Sequence, residues 1–367
     1  MSTSLHLIRA CAATSLVLGA QTTFAQSAST SSVTVAGVAD VGVRQVRNEG
    51  QTARNTVVNG SNSTSRLIVR GTEDLGAGWS AGFHLEHGIL LDTGTAASST
   101  QFWDRRATLS LAHTRAGEVR AGRDFVPSYV AWSRHDPFSY VGVGSSSSLV
   151  SATPTGPIKS AFGSTPATTV RANNAVQWLL PAGLGGVEGG VLLAPGEGRA
   201  SASGLARVIG LRLGYADKQL NVSAATTRTD NDLTTTSGHL QDTTLGGGYD
   251  FGIVRVSGAL RRFEQAAAQQ TNLLLGVRVP MRSGEVKLSY NRARFGGKVG
   301  NTSIDGQASS QLALGYVHDL SRRTALYGTV SRISNSAALN AALSGGSGTL
   351  VKGGSSTGLE LGVRHNF

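Results

Sequence analysis

Hydrophobic and polar residues alternate one by one along most of the chain from residue 32 onward. In the segment 32–47 (SVTVAGVADVGVRQVR), most valines occupy one parity of positions, while Thr34, Asp40 and Arg44 occupy the other. The segment 79–89 alternates in the same way. Because successive side chains of a β-strand point to opposite faces, this period of two predicts strands with one apolar and one polar face.

Sixteen such segments can be counted. They start near residues 32, 64, 79, 102, 118, 170, 187, 205, 219, 242, 253, 271, 285, 310, 324 and 356. Short turns follow every second strand, as at 74–78, 181–186 and 216–218. Longer loops rich in Ser, Thr, Asn and Gly follow the others, at 48–62, 91–101, 229–240, 295–308 and 334–354. This arrangement predicts an all-β fold, a 16-stranded antiparallel transmembrane β-barrel.

The composition favours a barrel in a membrane over a water-soluble one. Only 15% of the 367 residues are charged, against about 25% in soluble domains. Mean hydropathy is −0.05, and beyond residue 25 no run reaches ~18 apolar residues, which excludes helical membrane spans. The polar faces are rich in Gly, Ser and Thr and would leave the lumen open. The alternative, a soluble sandwich or small barrel, would need large apolar side chains there.

The first 25 residues have the features of a cleavable secretory signal peptide. Arg9 provides a positive charge, residues 10–20 (ACAATSLVLGA) form a short apolar stretch, and residues 23–25 resemble a small-x-small cleavage site. The alternative is a buried helix at the start of the domain. The only cysteine, Cys11, falls in this segment, so we expect the mature barrel, 26–367, to have no disulfide and no cysteine-based metal site.

One loop, at about 125–169, is longer than the rest and holds five of the eight prolines. A loop of this length in a compact fold has a function or signals a wrong strand assignment. In an open barrel it can fold inward and narrow the channel, so we expect a constriction loop; the alternative is a mobile external loop. Arg134 and Asp136 are the candidate constriction residues. Arg123, at the strand–loop junction, is a third candidate, and its parity leaves its direction open.

The formal net charge is +11, and the alternation sorts the charged residues by face. The basic residues that we expect to face the lumen are Arg44, Arg66, Arg70, Arg106, Arg171, Arg212, Arg255, Arg261, Arg278, Lys287, Arg332 and Arg364. The acidic residues expected on the same face are Asp40, Glu86, Asp104, Glu118, Glu188 and Glu360. A water-filled pore with excess positive charge concentrates anions, so the sequence predicts an anion-preferring passive channel. The alternative is that some arginines cap strand ends and bind lipopolysaccharide phosphates.

Motifs for other chemistry are not found. His84 and His87 are three apart on a strand and point to opposite faces, and no His-Glu-x-x-His pattern occurs. The glycines at 246–248 do not open a helix, so a nucleotide loop is not expected. We therefore expect no metal and no cofactor. Nucleic-acid binding is not expected either, because the basic residues lie in strands without aromatic stacking platforms.

Several motifs, in the right order, resemble the general porins of Gram-negative outer membranes, in the branch typical of beta-proteobacteria. Residues 32–43 resemble that family's first strand, and 65–76 (SRLIVRGTEDLG) its second strand and first turn. Residues 117–124 (GEVRAGRD) resemble the strand that leads into an inward-folded third loop. The chain ends in Phe367, as does the family's terminal strand, whose last aromatic residue is read by the barrel-insertion machinery.

The resemblance implies a sixteen-stranded homotrimer in the bacterial outer membrane, in contact with lipids and lipopolysaccharide. It implies a passive diffusion channel for small hydrophilic solutes. The first alternative is a substrate-specific channel, for instance for organic anions or phosphate. An outer-membrane barrel enzyme and a structural barrel with a plugged lumen are further alternatives. No Ser/His/acid constellation can be placed by parity, so we expect no enzymatic activity.

Overall fold

The first and last strands of the chain pair with each other. The computed structural model describes residues 31–163, 169–196, 206–231, 238–336 and 338–367. Within them the strands follow one another around one antiparallel sheet, and the first strand pairs with the last from Val38↔Asn366 to Asn48↔Ser356. This pairing closes the sheet into a barrel. Each strand edge is thereby hydrogen-bonded, which is what a lipid environment requires.

The strands are β1 (Ser32–Asn48), β2 (Arg54–Asn59), β3 (Arg66–Gly76), β4 (Trp79–Leu90), β5 (Thr95–Ala96), β6 (Arg106–His113), β7 (Gly117–Phe125), β8 (Arg171–Leu179), β9 (Val187–Ala194), β10 (Val208–Ala216), β11 (Leu220–Asn231), β12 (Gly238–Asp250), β13 (Arg255–Gln265), β14 (Ala268–Met281), β15 (Gly284–Val299), β16 (Thr302–Ser303), β17 (Ala308–Asp319), β18 (Thr324–Ser336) and β19 (Ser355–Asn366). β2 and β3 lie end to end beside β1, and β5 and β16 are two-residue additions in loops. The described strands therefore fill sixteen positions, which confirms the predicted fold class.

The strand boundaries differ from the sequence prediction at a few places. The second strand was expected near residue 64, but β2 already occupies part of the expected loop 48–62. The fourth strand was expected near 102 and begins at Arg106. β15 extends into the expected loop 295–308. A turn of only two residues joins β13 to β14, although it lies at the end of the barrel that carries the long loops. Loops between long antiparallel strands can shorten in this way because the ladder continues beyond the membrane.

The two faces of the sheet have the expected character. On the outer face, Leu213 and Leu312 are 57% and 56% exposed. On the inner face, Gln270, Asn272 and Gln311 are almost wholly buried. An apolar outer surface around a polar interior suits a barrel in a bilayer.

The long loop folds into the barrel, as expected. Its described part, 126–163, contains three short helices, α1 (Pro127–Ser133), α2 (Ser147–Val150) and α3 (Pro157–Phe162). Trp132 and Phe162 pack with Phe263 of the wall in one buried cluster. Residues 164–168, and the expected signal peptide 1–25 with Cys11, lie outside the described residues.

No helix among the described residues is long and apolar enough to cross a membrane.

Candidate functional site

The constriction loop, which we define as residues 126–163, lies against one side of the inner wall. α1 contacts β9 to β13, α3 contacts β12 to β14, and α2 contacts β15 and β17. The opposite side of the wall, from β1 to β8, is left to line the remaining lumen. This side carries five of the eleven arginines that the sequence placed on the inner face.

Asp136 holds the bend of the loop and does not face the lumen. Its side chain is buried and accepts hydrogen bonds from the backbone N–H of Phe138 at 2.9 Å, and from the N–H and hydroxyl of Ser146 at 2.9 and 2.6 Å. A carboxylate with several donors inside the loop is a framework group. The sequence placed Asp136 opposite an arginine wall, and its burial corrects that expectation.

The tip of the loop is fastened to the far side of the wall through Glu360 on β19. The Val143 N–H donates to Oε2 of Glu360 at 2.9 Å, and Arg44 pairs with the same carboxylate. Gly142 has a φ of +74°, and a Cβ there would lie 2.2 Å from the carbonyl oxygen of Ser61. Only glycine fits at this contact. The loop thus follows the inner wall from β7 to β19.

A second loop also folds inward. Leu339, Ala341 and Leu343, in the loop between β18 and β19, are buried with Val143 and Leu149 of the constriction loop. The sequence showed this segment only as a long Ser/Gly-rich loop. Its isolated leucines are the one signal that could have indicated burial.

Carboxylates on the inner wall are shared between arginines. Glu86 contacts Arg105 and also Arg66, the latter at 3.3 Å. Glu188 contacts Arg134 of the constriction loop and also Arg212, the latter at 2.6 Å. Each of these two clusters has two fixed positive charges and one negative charge.

A third cluster surrounds Asp124. Its carboxylate lies 3.4 Å from Arg106 and 2.8 Å from Arg120, and Arg120 also pairs with Glu118 at 2.9 Å. Arg106, Arg120 and Arg212 all line a cavity of about 150 Å³ next to α1. This cluster is electrically balanced, so it contributes no excess charge.

Other arginines of the described residues contact no carboxylate. Arg171 lies over the ring of Phe125, 4.4 Å from its centroid, and its Nε has no hydrogen-bond partner in the described residues. Arg278 donates to the carbonyl oxygens of Asp136 and Pro137 at 3.1 and 2.9 Å. Arg70 is exposed on the same face of β3 as Arg66. Their positive charges are not offset by a neighbouring acid.

A depression at the short-turn end of the barrel adds to this positive surface. It has a volume of about 440 Å³ and is lined by Arg134, Arg255 and Arg278, together with Asp217 and Asp250. Arg255 lies at its rim and pairs with Asp250 at 2.5 Å. Arg255 is therefore at the mouth of the barrel and not at its narrowest part.

Some of the expected inner-face residues have structural surroundings. Asp40 is buried and accepts from the Asn62 and Ser63 N–H groups and the Tyr327 hydroxyl, at 2.9, 2.6 and 2.6 Å. Arg261 is wholly buried behind the constriction loop and pairs with Asp242 at 2.6 Å. These groups join the wall to its inserted segments and are shielded from the lumen.

Three further basic residues were expected on the inner face, and the structure places two of them there. Arg332 shares the outer face of β18 with the exposed Val330, so the expectation that it faces inward is corrected. Lys287 and Arg364 lie on the inner face, beside Glu285 at 3.7 Å and Asp319 at 3.9 Å respectively.

Arg123 is held at the junction between strand and loop. Its Nε donates to the carbonyl oxygen of Asp104 at 2.6 Å, and its guanidinium donates to Asn173 at 2.5 Å. A register shift between Gly122 and Asp124 interrupts the alternation here, which is why parity could not give its direction.

The sequence analysis missed two arginines of the charged clusters. Arg105 immediately precedes β6, so strand parity does not apply to it. Arg120 has the same parity as Glu118, which was placed on the inner face, and could have been found by that rule.

His135 is a titratable group that the folding of the loop buries. It is 3% exposed and its Nε2 has no hydrogen-bond partner in the described residues. Burial, with a smaller contribution from the adjacent Arg134 charge, lowers the pKa of the His135 imidazole to about 4. The ring is therefore neutral at pH 7.

A family model described as Gram-negative porin matches residues 12–338. The chain belongs to the Gram-negative porin family. It is 34% identical over 350 residues to outer membrane porin protein 32 of Delftia acidovorans, with 92% of this chain and 94% of the relative covered. It is 26% identical over 360 residues to an outer membrane porin protein of Bordetella pertussis, with 85% and 84% covered.

The barrel of this porin is also similar to a solved structure. The anion-selective porin from Comamonas acidovorans superposes with a TM-score of 0.79 at 33% identity, over 92% of this chain and 100% of that chain. The family and the fold that the sequence motifs indicated are thereby confirmed, and so is the outer-membrane location. The porin is a channel protein.

Proposed function

We propose that this porin is a passive diffusion channel for small hydrophilic solutes and ions, and that it prefers anions. The observation that carries the proposal is the sharing of Glu86 and Glu188, each by two arginines. Beside them, Arg171 and Arg278 contact no acid among the residues that the structure describes. In a narrow lumen with low-dielectric walls, the remaining positive charge raises the local anion concentration and repels cations. The similarity to a porin described as anion-selective supports the proposal.

The test is the reversal potential of the purified porin in a planar bilayer with a KCl gradient. We expect the reversal potential to have the sign of the chloride equilibrium potential. Its magnitude should decrease as the salt concentration rises from 0.1 to 1 M, because the Debye length falls from about 10 Å to about 3 Å. A potential on the potassium side, or none at low salt, would contradict anion preference. A bilayer with no conductance at all would contradict the channel itself.

Of the inner-face residues expected from the sequence, we further propose that Arg66, Arg70, Arg171, Arg212 and Arg278 supply most of the positive field, with Glu86 as an acidic partner. Arg44, Arg106 and Arg255 are paired with carboxylates and contribute less, and Asp40 is shielded from the lumen. Within this set, Arg70 is directly exposed to solutes, whereas Arg171 and Arg278 are partly buried and act on permeating ions through their charge. Arg134 joins the set from the constriction loop through its contact with Glu188. Single neutral substitutions, each measured for reversal potential, separate the contributors from the framework residues.

We also propose that the porin is exported with cleavage near residue 25 and assembles as a homotrimer. On the outer face of β1, β3 and β4, a groove of about 410 Å³ is lined by Val33, Gly71 and Phe83. A small residue beneath a half-buried aromatic ring is a surface on which another copy could pack. Mass measurement of the mature chain and of the detergent-solubilised assembly tests the cleavage site and the trimer.

At the other end of the chain, we propose that Phe367 is the residue read during insertion. Phe367 exchanges backbone hydrogen bonds with Gly37 at 3.0 and 3.1 Å, and its ring remains 51% exposed. Its backbone thus completes the closure of the barrel while the side chain stays accessible. Removal of Phe367 should reduce the amount of barrel in the outer membrane in a cell-fractionation assay.

A further inference from the structure

Five glycines on the inner wall each lie directly beneath a side chain of the constriction loop. The pairs are Gly210 with Pro127, Gly246 with His135, Gly276 with Pro137, Gly315 with Phe138, and Gly358 with Val143. A Cβ at these glycines would lie 2.7, 2.4, 2.6, 2.8 and 3.0 Å, respectively, from the nearest atom of that partner. Carbon atoms in contact are about 3.5–4.0 Å apart. Each glycine therefore provides space that any other residue would fill.

These glycines follow a regular path around the barrel. They lie on β10, β12, β14, β17 and β19, which are alternate strands of the wall, and their partners follow the same order along the loop. We call this set the glycine track. The strands and the loop residues share one order over nine of the sixteen strand positions. This indicates that the loop is fitted to the wall along most of its length.

The strands between the glycines bind the loop by hydrogen bonds. On β11, Thr227 accepts from the Ser128 N–H at 3.2 Å. On β13, Ser257 donates to the His135 carbonyl at 2.8 Å, and on β15 the Asn291 amide donates to the Ser146 carbonyl at 3.2 Å. Polar strands thus hold the loop while the glycine strands let it come close.

We propose that the glycine track sets the width of the channel, because it allows the constriction loop to lie as close to the wall as the backbone permits. A methyl group at one of these positions must move the loop away from the wall by about 1 Å, and the loop can move only into the lumen. Passage through a narrow pore depends on its diameter. The proposal rests on the channel activity of the family and not on the preference for anions.

Gly210 and Gly276 give the sharpest test, because their partners are prolines. A histidine or phenylalanine ring can rotate away from an added methyl group, whereas Pro127 and Pro137 cannot, since their rings are part of the backbone. The variants are Gly210→Ala and Gly276→Ala. The matched control is Gly247→Ala, on the outer face of β12, where the nearest atom to a new Cβ is 3.4 Å away.

The readout is single-channel conductance of each folded variant in a planar bilayer, with folding checked by circular dichroism. We expect Gly210→Ala and Gly276→Ala each to lose conductance on the order of tens of per cent, and Gly247→Ala to match the unaltered porin. Two positions are used so that a folding failure at one leaves the other available.

Rescue variants distinguish the width of the channel from general damage to the barrel. Pro127→Ala and Pro137→Ala remove the ring atoms of the loop that a new Cβ would meet. At Gly276 a new Cβ would also lie 2.6 Å from the hydroxyl of Ser257, which can rotate about its own side-chain bond. Combined with the facing glycine substitution, each proline substitution should restore the conductance to that of the proline variant alone. Conductance equal to that of the control in both glycine variants, or no recovery in either double variant, would overturn the proposal. The reversal potential, recorded in the same bilayers, tests anion preference separately.

Discussion

The backbone N–H of Val143 donates a hydrogen bond of 2.9 Å to Glu360, which lies 217 positions further along the chain. Glu360 is 1% exposed and also pairs with Arg44 and accepts from the Ser61 hydroxyl at 3.0 Å. One buried carboxylate therefore joins the tip of the constriction loop, the first strand and the segment between β2 and β3. The loop is a bridge fixed at its far end.

Substitution Glu360→Ala should loosen this bridge. It leaves the Val143 N–H and the Arg44 guanidinium without their acceptor, at a cost of roughly 1–3 kcal/mol for each. We expect noisier single-channel currents and faster cleavage of the loop by added protease. Glu264→Ala is the control, because Glu264 pairs with Arg262 at an exposed site. Equal noise in the two variants would show that the bridge does not limit loop motion.

Neutralising Arg171 should weaken anion preference without loosening the loop. Its guanidinium rests on Phe125 and contacts no acid of the described residues, so Arg171→Gln removes an uncompensated charge and leaves no carboxylate unpaired. The reversal potential should move toward zero. The change should be larger at 0.1 M than at 1 M salt, because the Debye length is shorter at the higher concentration and the charge is screened more strongly. Arg262→Gln, at an exposed ion pair with Glu264, serves as the matched control and should leave the potential unchanged.

The opposite change is expected at Glu86. Glu86→Gln keeps the shape of the side chain but removes the one negative charge shared by Arg66 and Arg105. The reversal potential should shift further toward the chloride value. The midpoint temperature of thermal unfolding should fall as well, because both arginines lose their buried partner. A shift of the reversal potential toward the potassium equilibrium potential would show that these arginines do not act on permeating ions.

Strand geometry explains how far the sequence could be followed. The period of two is a property of the extended backbone. It therefore predicted, without knowledge of the fold, that the side chains of Arg44, Arg66 and Arg212 lie on the inner face. The alternation also holds at Arg332, which has the same parity as the outward-facing Val330. There the error was the assumption that an arginine faces the lumen, because near the loop end of β18 the outer face can carry charge. The alternation left Arg123 undecided, because a register shift follows Gly122.

Loop residues gave no comparable signal. Asp136 could be assigned to the constriction loop, but whether its carboxylate meets water or the loop's own N–H groups depends on the three-dimensional path. The same holds for Leu339 and Leu343, whose burial depends on contact with Val143. Contacts between distant segments have no periodicity, so residue patterns alone could not show them.

Acidification should loosen the constriction loop through His135. The pKa of the buried imidazole is lowered to about 4 from an ordinary 6.5, chiefly by burial and also by the adjacent Arg134 charge. The released loop therefore binds a proton more readily than the docked loop. The docked state is fully stable above pH 6.5 and loses stability as the pH falls toward 4, by up to roughly 3 kcal/mol.

This loss should appear as more frequent current fluctuations at pH 4.5 than at pH 7 in single-channel records. His135→Gln cannot take up a proton and should make the fluctuations independent of pH over this range. His239→Gln, at an exposed position on β12, should keep the pH dependence of the unaltered porin. If His135→Gln and the unaltered porin respond alike, another titrating group governs the loop, and the low pKa of His135 has no effect on conduction.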